Sequence, residues 1–244
     1  MKLKVALITG AGGGIGLAIV RNLLQSNEYL VYANYHSDKN SQPLFDLQKK
    51  FKEKLILNQA DCTVESEVKN LSNLINENKI DLLINTIGVL HSDTLSPEKS
   101  LKDFNSNDFL EIMNINVAIT LLLAKYFGST LNDNSYFVSL SAKVGSISDN
   151  RMGGWYSYRI SKAALNMAIK NISLEFKRAT PQAIVLAIHP GTTDTKLSKP
   201  YSSRRNYKLH SPDESAINIL RVIKTATKDS SGKFLSWDGG EIKW

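Results

Sequence analysis

Five glycines fall among the seven positions 10–16 of Thr9-Gly10-Ala11-Gly12-Gly13-Gly14-Ile15-Gly16. Before them stands a continuous apolar run, Val5-Ala6-Leu7-Ile8, of the kind that forms a parallel strand buried on both faces. After them, from Gly14 to Gln25, Ile15, Ala18, Ile19, Leu23 and Leu24 recur at helical spacing. Glycines between such a strand and helix permit a tight turn, let backbone N–H groups approach a pyrophosphate and allow the helix to pack closely on a sheet. The helix N-terminus adds the positive end of its dipole. A chain built this way is constrained to an α/β layout with a dinucleotide site at the end of its first strand.

The rest of the chain repeats the alternation. Tyr29–Ala33, Leu55–Leu57, Leu82–Ile84, Tyr136–Leu140, Ala183–Ile188 and Lys233–Leu235 read as further strands. Leu44–Lys52, Val64–Asn76, Ser106–Phe127, Tyr156–Arg178 and Asp213–Ala226 read as helices. Strands separated by helices predict parallel βαβ units and hence one single-domain, Rossmann-type, doubly wound parallel sheet of about seven strands over residues 1–244, with helices on both faces. A length of 244 residues with 42% hydrophobic and 22% charged residues suits such a domain and excludes disordered and fibrous classes. The single cysteine, Cys62, excludes a disulfide scaffold, and the four histidines show no metal-ligand spacing, so no metal is expected.

The net charge of +7 is scattered, without the basic stripe of a nucleic-acid partner. No apolar run approaches the ~20 residues of a membrane span, and the N-terminus enters a strand directly. The expectation is therefore a cytoplasmic protein with no membrane and no nucleic-acid partner.

Ligands of such sheets sit at the carboxyl ends of the strands. The end of the second strand, Asn34-Tyr35-His36-Ser37, should read the adenosine ribose, and it carries no carboxylate to repel a 2′-phosphate. Asn34 and His36 are the candidates there, with Lys39 nearby, and NADP is expected in preference to NAD. Tyr158 and Lys162 lie at i and i+4 on one helix face, and a neighbouring ammonium should lower the pKa of a phenol toward useful acid–base chemistry.

With both motifs in place, the chain resembles a short-chain dehydrogenase/reductase over essentially its whole length. Thr9–Gly16 matches that family's cofactor turn and Tyr158xxxLys162 its active-site pair. The resemblance implies cofactor contacts from Gly10, Gly12, Gly13, Gly14, Ile15 and Gly16, from Asp61 and its neighbour Cys62 at the adenine, and from Asn85 and Gly88 of Asn85-Thr86-Ile87-Gly88. It implies further contacts from Pro190, Gly191, Thr193 and Thr195 at the nicotinamide, and from Tyr158 and Lys162. Tyr158 would be the proton donor to a carbonyl oxygen, Lys162 its electrostatic partner, and Asn116 the relay residue that positions a water.

The family's catalytic serine should precede Gly145 by three positions, where this chain has Ala142. Ser141, one residue earlier, is the candidate; the alternative is that Ala142 fills the slot and another hydroxyl, such as Ser146, takes over. Gly145-Ser146-Ile147 and Gly153-Gly154-Trp155-Tyr156-Ser157-Tyr158-Arg159 are similar to a carbonyl-reductase-like subgroup that includes sniffer and the C-factor signalling proteins. That implies a small carbonyl or alcohol substrate, a rival role in signalling with weak or no turnover, and pairing into a homodimer or homotetramer through helices 109–127 and 156–178. Residues 197–211, with Tyr201, Arg204, Arg205, Tyr207 and Lys208, should cover the substrate pocket.

Overall fold

The computed structural model of the chain describes residues 2–75, 78–179, 183–202 and 209–244. Seven strands, β1 (Lys4–Thr9), β2 (Tyr29–Tyr35), β3 (Leu55–Gln59), β4 (Ile80–Asn85), β5 (Leu131–Leu140), β6 (Ile184–His189) and β7 (Lys233–Ser236), form one sheet in the order β3-β2-β1-β4-β5-β6-β7. Every neighbouring pair is parallel. The order reverses between β1 and β4, which opens a crevice at their carboxyl ends.

The helices are α1 (Gly14–Gln25), α2 (Gln42–Phe51), α3 (Glu65–Ile75), α4 (Ser106–Met113), α5 (Ile119–Phe127), α6 (Tyr156–Ala179), α7 (Lys199–Ser202) and α8 (Pro212–Thr225). Strand alternation divides the core in two. Leu7, Phe137 and Val185 pack with residues of α3, α5 and α6, whereas Ala6, Ile8, Val138 and Leu186 pack with α1 and α8. The chain thus folds as the doubly wound sheet its sequence predicts.

Local chemistry sets the element ends. Asn105 caps α4 by accepting the N–H groups of Asn107 and Asp108, and Ser211 and Glu214 form a reciprocal capping box at α8. Beyond β7 the chain turns back, so that the Ser236 N–H donates to Gly240 O at 2.7 Å and the Ile242 N–H to Phe234 O at 2.8 Å. This return covers the sheet edge.

Two sequence expectations change here. The helix predicted over Ser106–Phe127 contains a π-helical turn, Asn114–Ala118, between α4 and α5. The helical stretch Ser106–Thr130 is also, by length and composition alone, apolar enough to cross a bilayer, contrary to the expectation that no segment qualifies. Its apolarity has another physical source: Ile112, Ile119, Leu123 and Phe127 are buried in the protein core. Arg204, Arg205, Tyr207 and Lys208 lie outside the described residues.

Candidate active site

The glycine turn has the form a pyrophosphate requires. Gly10 and Gly14 adopt φ +76° and +52°, values that only glycine takes without strain. A Cβ on Gly16 would lie 2.3 Å from the Gly10 carbonyl oxygen, so close packing of α1 on β1 demands glycine there. Gly13 faces open space: a Cβ would meet nothing within 4 Å. No side chain caps α1, and its first turn holds no acid. The result is an exposed helix N-terminus with free room above it, which fits a dinucleotide phosphate. Thr195 reaches across from the loop after β6; its Cγ2 is 3.4 Å from the position of a Gly14 Cβ.

At the adenosine end the structure revises several assignments. Asn34 is buried: its Nδ2 donates to Ala60 O at 3.1 Å, and its Oδ1 lies 3.3 Å from Cys62 Sγ. The Cys62 thiol is buried too, which pushes its pKa up to about 12. Both side chains are spent on internal contacts on the sheet face that carries Tyr32, so neither side chain is offered to a ligand at the strand ends. The alternation of β2 gives that position to Tyr35, whose Cβ is 3.6 Å from the place of a Gly12 Cβ, with Ser41 Oγ at 2.8 Å. Tyr35 lay within the segment expected to read the ribose without being singled out, and Ser41 carried no signal in the sequence.

Asp61 keeps its place after β3. Burial raises its pKa, but hydrogen bonds from the Thr63 hydroxyl (2.7 Å) and N–H (2.9 Å), with His36 3.6 Å away, hold it below the usual carboxylate range. His36 is largely exposed and faces this carboxylate, which weakens its attraction for a phosphate.

Asn85 is also diverted. Its Oδ1 accepts from Thr9 Oγ1 (2.8 Å) and Ile87 N–H (3.1 Å), and its Nδ2 donates to Thr120 Oγ1 (2.9 Å) and Ser139 Oγ (3.2 Å). It ties β1, β4, β5 and α5 together and positions the site from beneath rather than holding the cofactor. Thr193 likewise turns inward to Ser215 Oγ at 2.7 Å. Gly191 has φ +80° and lies against the His210 and Trp237 rings, where a Cβ would come within 2.9 Å of His210. His189, just before Pro190, is held neutral by burial, its pKa lowered to about 4.

The centre of the site is built on the first turns of α6. Gly153, Gly154 and Trp155 adopt φ +60°, +65° and +52° in succession and lead into the helix. A buried carboxylate, Glu98, then caps it: the Ser157 N–H donates to both of its oxygens at 3.2 Å, as does the Ser157 hydroxyl to Oε1. The Trp155 N–H donates to Glu98 O at 2.5 Å. Glu98 has no spacing signal in the sequence.

Tyr158 and Lys162 follow, exposed by only 6% and 4%. Lys162 Nζ donates to Leu140 O at 3.1 Å and sits 5.8 Å from the Tyr158 ring centre. Gly88 forms the opposite wall; a Cβ there would be 3.2 Å from Lys162 Nζ and 3.3 Å from Asn116 Oδ1. The π-helical turn presents Asn116, which accepts from Val89 N–H (2.8 Å) and donates to Val89 O (2.9 Å) and Ser161 Oγ (3.0 Å).

Burial lowers the Lys162 pKa to about 8, well below an ordinary ammonium. It also pushes the Tyr158 phenol upward, against the direction expected from the ammonium alone. Desolvation sets the direction of both shifts.

Both serine candidates direct their hydroxyls to other partners. Ser141 is buried and donates to Asn166 Oδ1 at 2.7 Å, while Ser146 donates to Lys243 O at 2.5 Å. Trp155 packs edge-on against Tyr158 at a centroid separation of 6.2 Å, and a chain of ring contacts continues from it to Tyr201 (5.1 Å) and from Tyr201 to His91 (5.6 Å).

An anion-ready glycine turn at a sheet's switch point, with a tyrosine and a lysine buried a strand away, defines a nicotinamide-dinucleotide oxidoreductase. The family model of the short chain dehydrogenases matches residues 4–206. The chain belongs to that family and is an NAD(P)-dependent oxidoreductase.

Among curated relatives, a 1-hydroxy-2-glutathionyl-2-methyl-3-butene dehydrogenase of Rhodococcus is 28% identical over 99% of this chain and 100% of its own. The benzil reductase of Saccharomyces cerevisiae is 31% identical over 80% of this chain and 74% of its own. The NADPH-bound carbonyl reductase from chicken fatty liver superposes with a TM-score of 0.88 at 25% identity, covering 100% of this chain and 95% of that one. The fold is shared with the carbonyl reductase Sniffer of D. melanogaster (TM-score 0.85, 21% identity, 100% of both chains).

Proposed function

We propose that the protein reduces a small carbonyl compound to the alcohol, with Tyr158 as the proton donor. The observation that carries this reading is the buried Tyr158–Lys162 pair, pinned between the Leu140 carbonyl and Gly88. The dinucleotide, when bound, supplies the hydride at its nicotinamide C4. The Tyr158 phenol is protonated at neutral pH, and because burial makes it a weaker acid, donation depends on the cation behind it. Lys162 below its pKa of about 8 places a cation behind the phenol, where it opposes the cost of the phenolate that donation leaves. Asn116 shapes the wall beside Lys162 and orients the relay to solvent.

The residues at the glycine turn would hold the pyrophosphate. NADP is the proposed choice, since no carboxylate occupies positions 34–37 beside Tyr35 and Ser41. The benzil reductase and carbonyl reductase among the similar proteins agree with a carbonyl substrate. The signalling alternative is not favoured: C-signal of Myxococcus xanthus aligns with only 43% of this chain, and the acid–base pair here is intact. Leu121, Met167 and Leu174 are exposed on α5 and α6, and we assign that face to subunit pairing in a homodimer or homotetramer. A cytoplasmic location completes the proposal.

The test is NADPH oxidation followed with a panel of aldehydes and ketones. The expected result is turnover in the wild type and its loss in Tyr158→Phe; equal rates in both would refute the assignment.

A further inference from the structure

Glu98 is only 4% exposed, and a carboxylate leaves water at high cost unless hydrogen bonds replace it. Its bonds go to the start of α6, 59 positions away in the chain. The Ser157 N–H and hydroxyl donate to the carboxylate, and the Trp155 N–H donates to the Glu98 carbonyl. One residue thus takes two of the N–H groups that a first helical turn leaves without partners. Gly153, Gly154 and Trp155, which lead into α6, have no side-chain oxygen with which to cap it themselves.

The turn held in this way is not one a free chain would keep. Trp155 has φ +52°, a conformation that a bulky residue adopts only where its surroundings impose it. Glu98 fixes the turn from one side and Arg159 from the other: Arg159 Nε donates to Gly153 O at 3.2 Å and Gly154 O at 3.0 Å, and its Nη1 to Val144 O at 3.3 Å. The indole carried by this turn packs on the Tyr158 ring.

The segment that ends at Glu98 grips α6 a second time at its start. Val89 exchanges two hydrogen bonds with Asn116, Asn116 Nδ2 donates to Ser161 Oγ, and Ser161 Oγ donates to Tyr158 O at 2.8 Å. Residues 89–98 therefore bracket Tyr158. One end reaches its carbonyl through Asn116 and Ser161, and the other holds the N–H of the residue before it.

We infer that Glu98 is a positioning residue for proton delivery: by clamping Trp155 and Ser157 it fixes the first turn of α6, and with it the place of the Tyr158 phenol. The inference rests on the carbonyl-reducing function proposed above. In that reaction the carbonyl carbon accepts hydride from NADPH, the π pair moves onto oxygen, and the Tyr158 proton completes the O–H bond, leaving NADP⁺. A reacting group displaced by about 1 Å can cost on the order of 10²-fold in rate. The glycine turn for the pyrophosphate is built on α1, outside this clamp, so cofactor affinity should not follow.

The experiment measures kcat, the solvent deuterium isotope effect on kcat and the NADPH dissociation constant for the wild type, Glu98→Ala, Glu98→Gln and Glu98→Asp. The substrate is the member of the aldehyde and ketone panel that the wild type reduces fastest, and circular dichroism gives the folded fraction of each protein. Glu98→Ala should lower kcat per folded molecule by roughly 10²-fold, raise the isotope effect and leave NADPH binding within about twofold. Glu98→Gln keeps an acceptor oxygen at the same reach and should hold kcat within about fivefold of wild type. Glu98→Asp keeps the charge but is one methylene shorter, and it should fall with the alanine variant. If Glu98→Ala does not fold, the comparison of glutamine with aspartate decides.

A cap that serves stability alone would leave folded Glu98→Ala with the kcat and isotope effect of the wild type, and that result would overturn the inference. So would a lowered kcat with an unchanged isotope effect, or an aspartate variant more active than the glutamine one, since charge rather than placement would then be at work. No turnover of any panel member by the wild type would overturn the carbonyl-reducing reading and this inference with it.

Discussion

Replacing Lys162 by methionine should change stability in a way that depends on pH, with a sign fixed by the burial of this ammonium. An exposed lysine titrates at 10.5, and Lys162 in the folded chain at about 8. Below pH 8 both states carry the proton, and folding must bury a cation. Between 8 and 10.5 the unfolded chain binds more protons than the folded one, so the contribution of this group to stability rises with pH. Above 10.5 both states are neutral and the penalty is gone. At ~1.4 kcal/mol per unit the penalty present at pH 7 is about 3 kcal/mol.

Lys162→Met removes that penalty and also the bond to Leu140 O. The second loss is present at every pH, so the pH dependence isolates the first. Urea denaturation of both proteins at pH 7 and pH 10.5 should show the stability of the variant relative to the wild type falling by about 3 kcal/mol as pH rises. A gap that does not change with pH would refute the reasoning, and one that moves the other way would mean that Lys162 is stabilised as a cation. The same ionisation should set an alkaline limb near pH 8 in the wild-type pH–rate profile.

Other changes follow from single contacts. Gly88→Ala drives a methyl to 3.2 Å from Lys162 Nζ and 3.3 Å from Asn116 Oδ1; steady-state kinetics should show kcat/KM reduced by roughly tenfold with stability changed by less than about 1 kcal/mol. Glu98→Ala leaves the Ser157 N–H and hydroxyl without their buried acceptor, and chemical denaturation should report a loss of about 2–3 kcal/mol. Asn34→Asp buries a carboxylate beside the Ala60 carbonyl, so it should destabilise the fold rather than switch cofactors. Tyr35→Asp, beside Gly12, should instead weaken NADPH relative to NADH by roughly 5- to 150-fold, measured by nicotinamide fluorescence titration.

The contrast between Asn34 and Tyr35 shows what could be read from the chain alone. Periodicity gives strands, helices and their alternation, so the sheet and the glycine turn were legible from Val5 to Gln25. The Tyr158–Lys162 pair was legible because both residues share one helix face, whose geometry is local. What failed was direction at strand ends. The second strand continues two residues past the predicted Ala33, to Tyr35, and that extension decides which of Asn34 and Tyr35 meets the glycine turn. Asn85 and Thr193 were placed at the cofactor by resemblance of their segments to the family's motifs, yet their polar atoms satisfy buried partners from distant segments. Glu98 caps a helix 58 residues later in the chain, a contact that only the folded chain creates. The raised Tyr158 pKa belongs to the same class, since burial is a property of packing and not of spacing.

The claim on which the account turns is that this site moves a hydride to a carbonyl carbon under Tyr158 acid catalysis. Its most direct test is to reduce 1-phenyl-1,2-propanedione with NADPH carrying deuterium at nicotinamide C4 and to examine the alcohol by NMR. The expected result is deuterium on the carbinol carbon in the wild type and no alcohol above background in Tyr158→Phe. Alcohol without deuterium on that carbon, with both faces of the nicotinamide labelled in turn, would contradict the account.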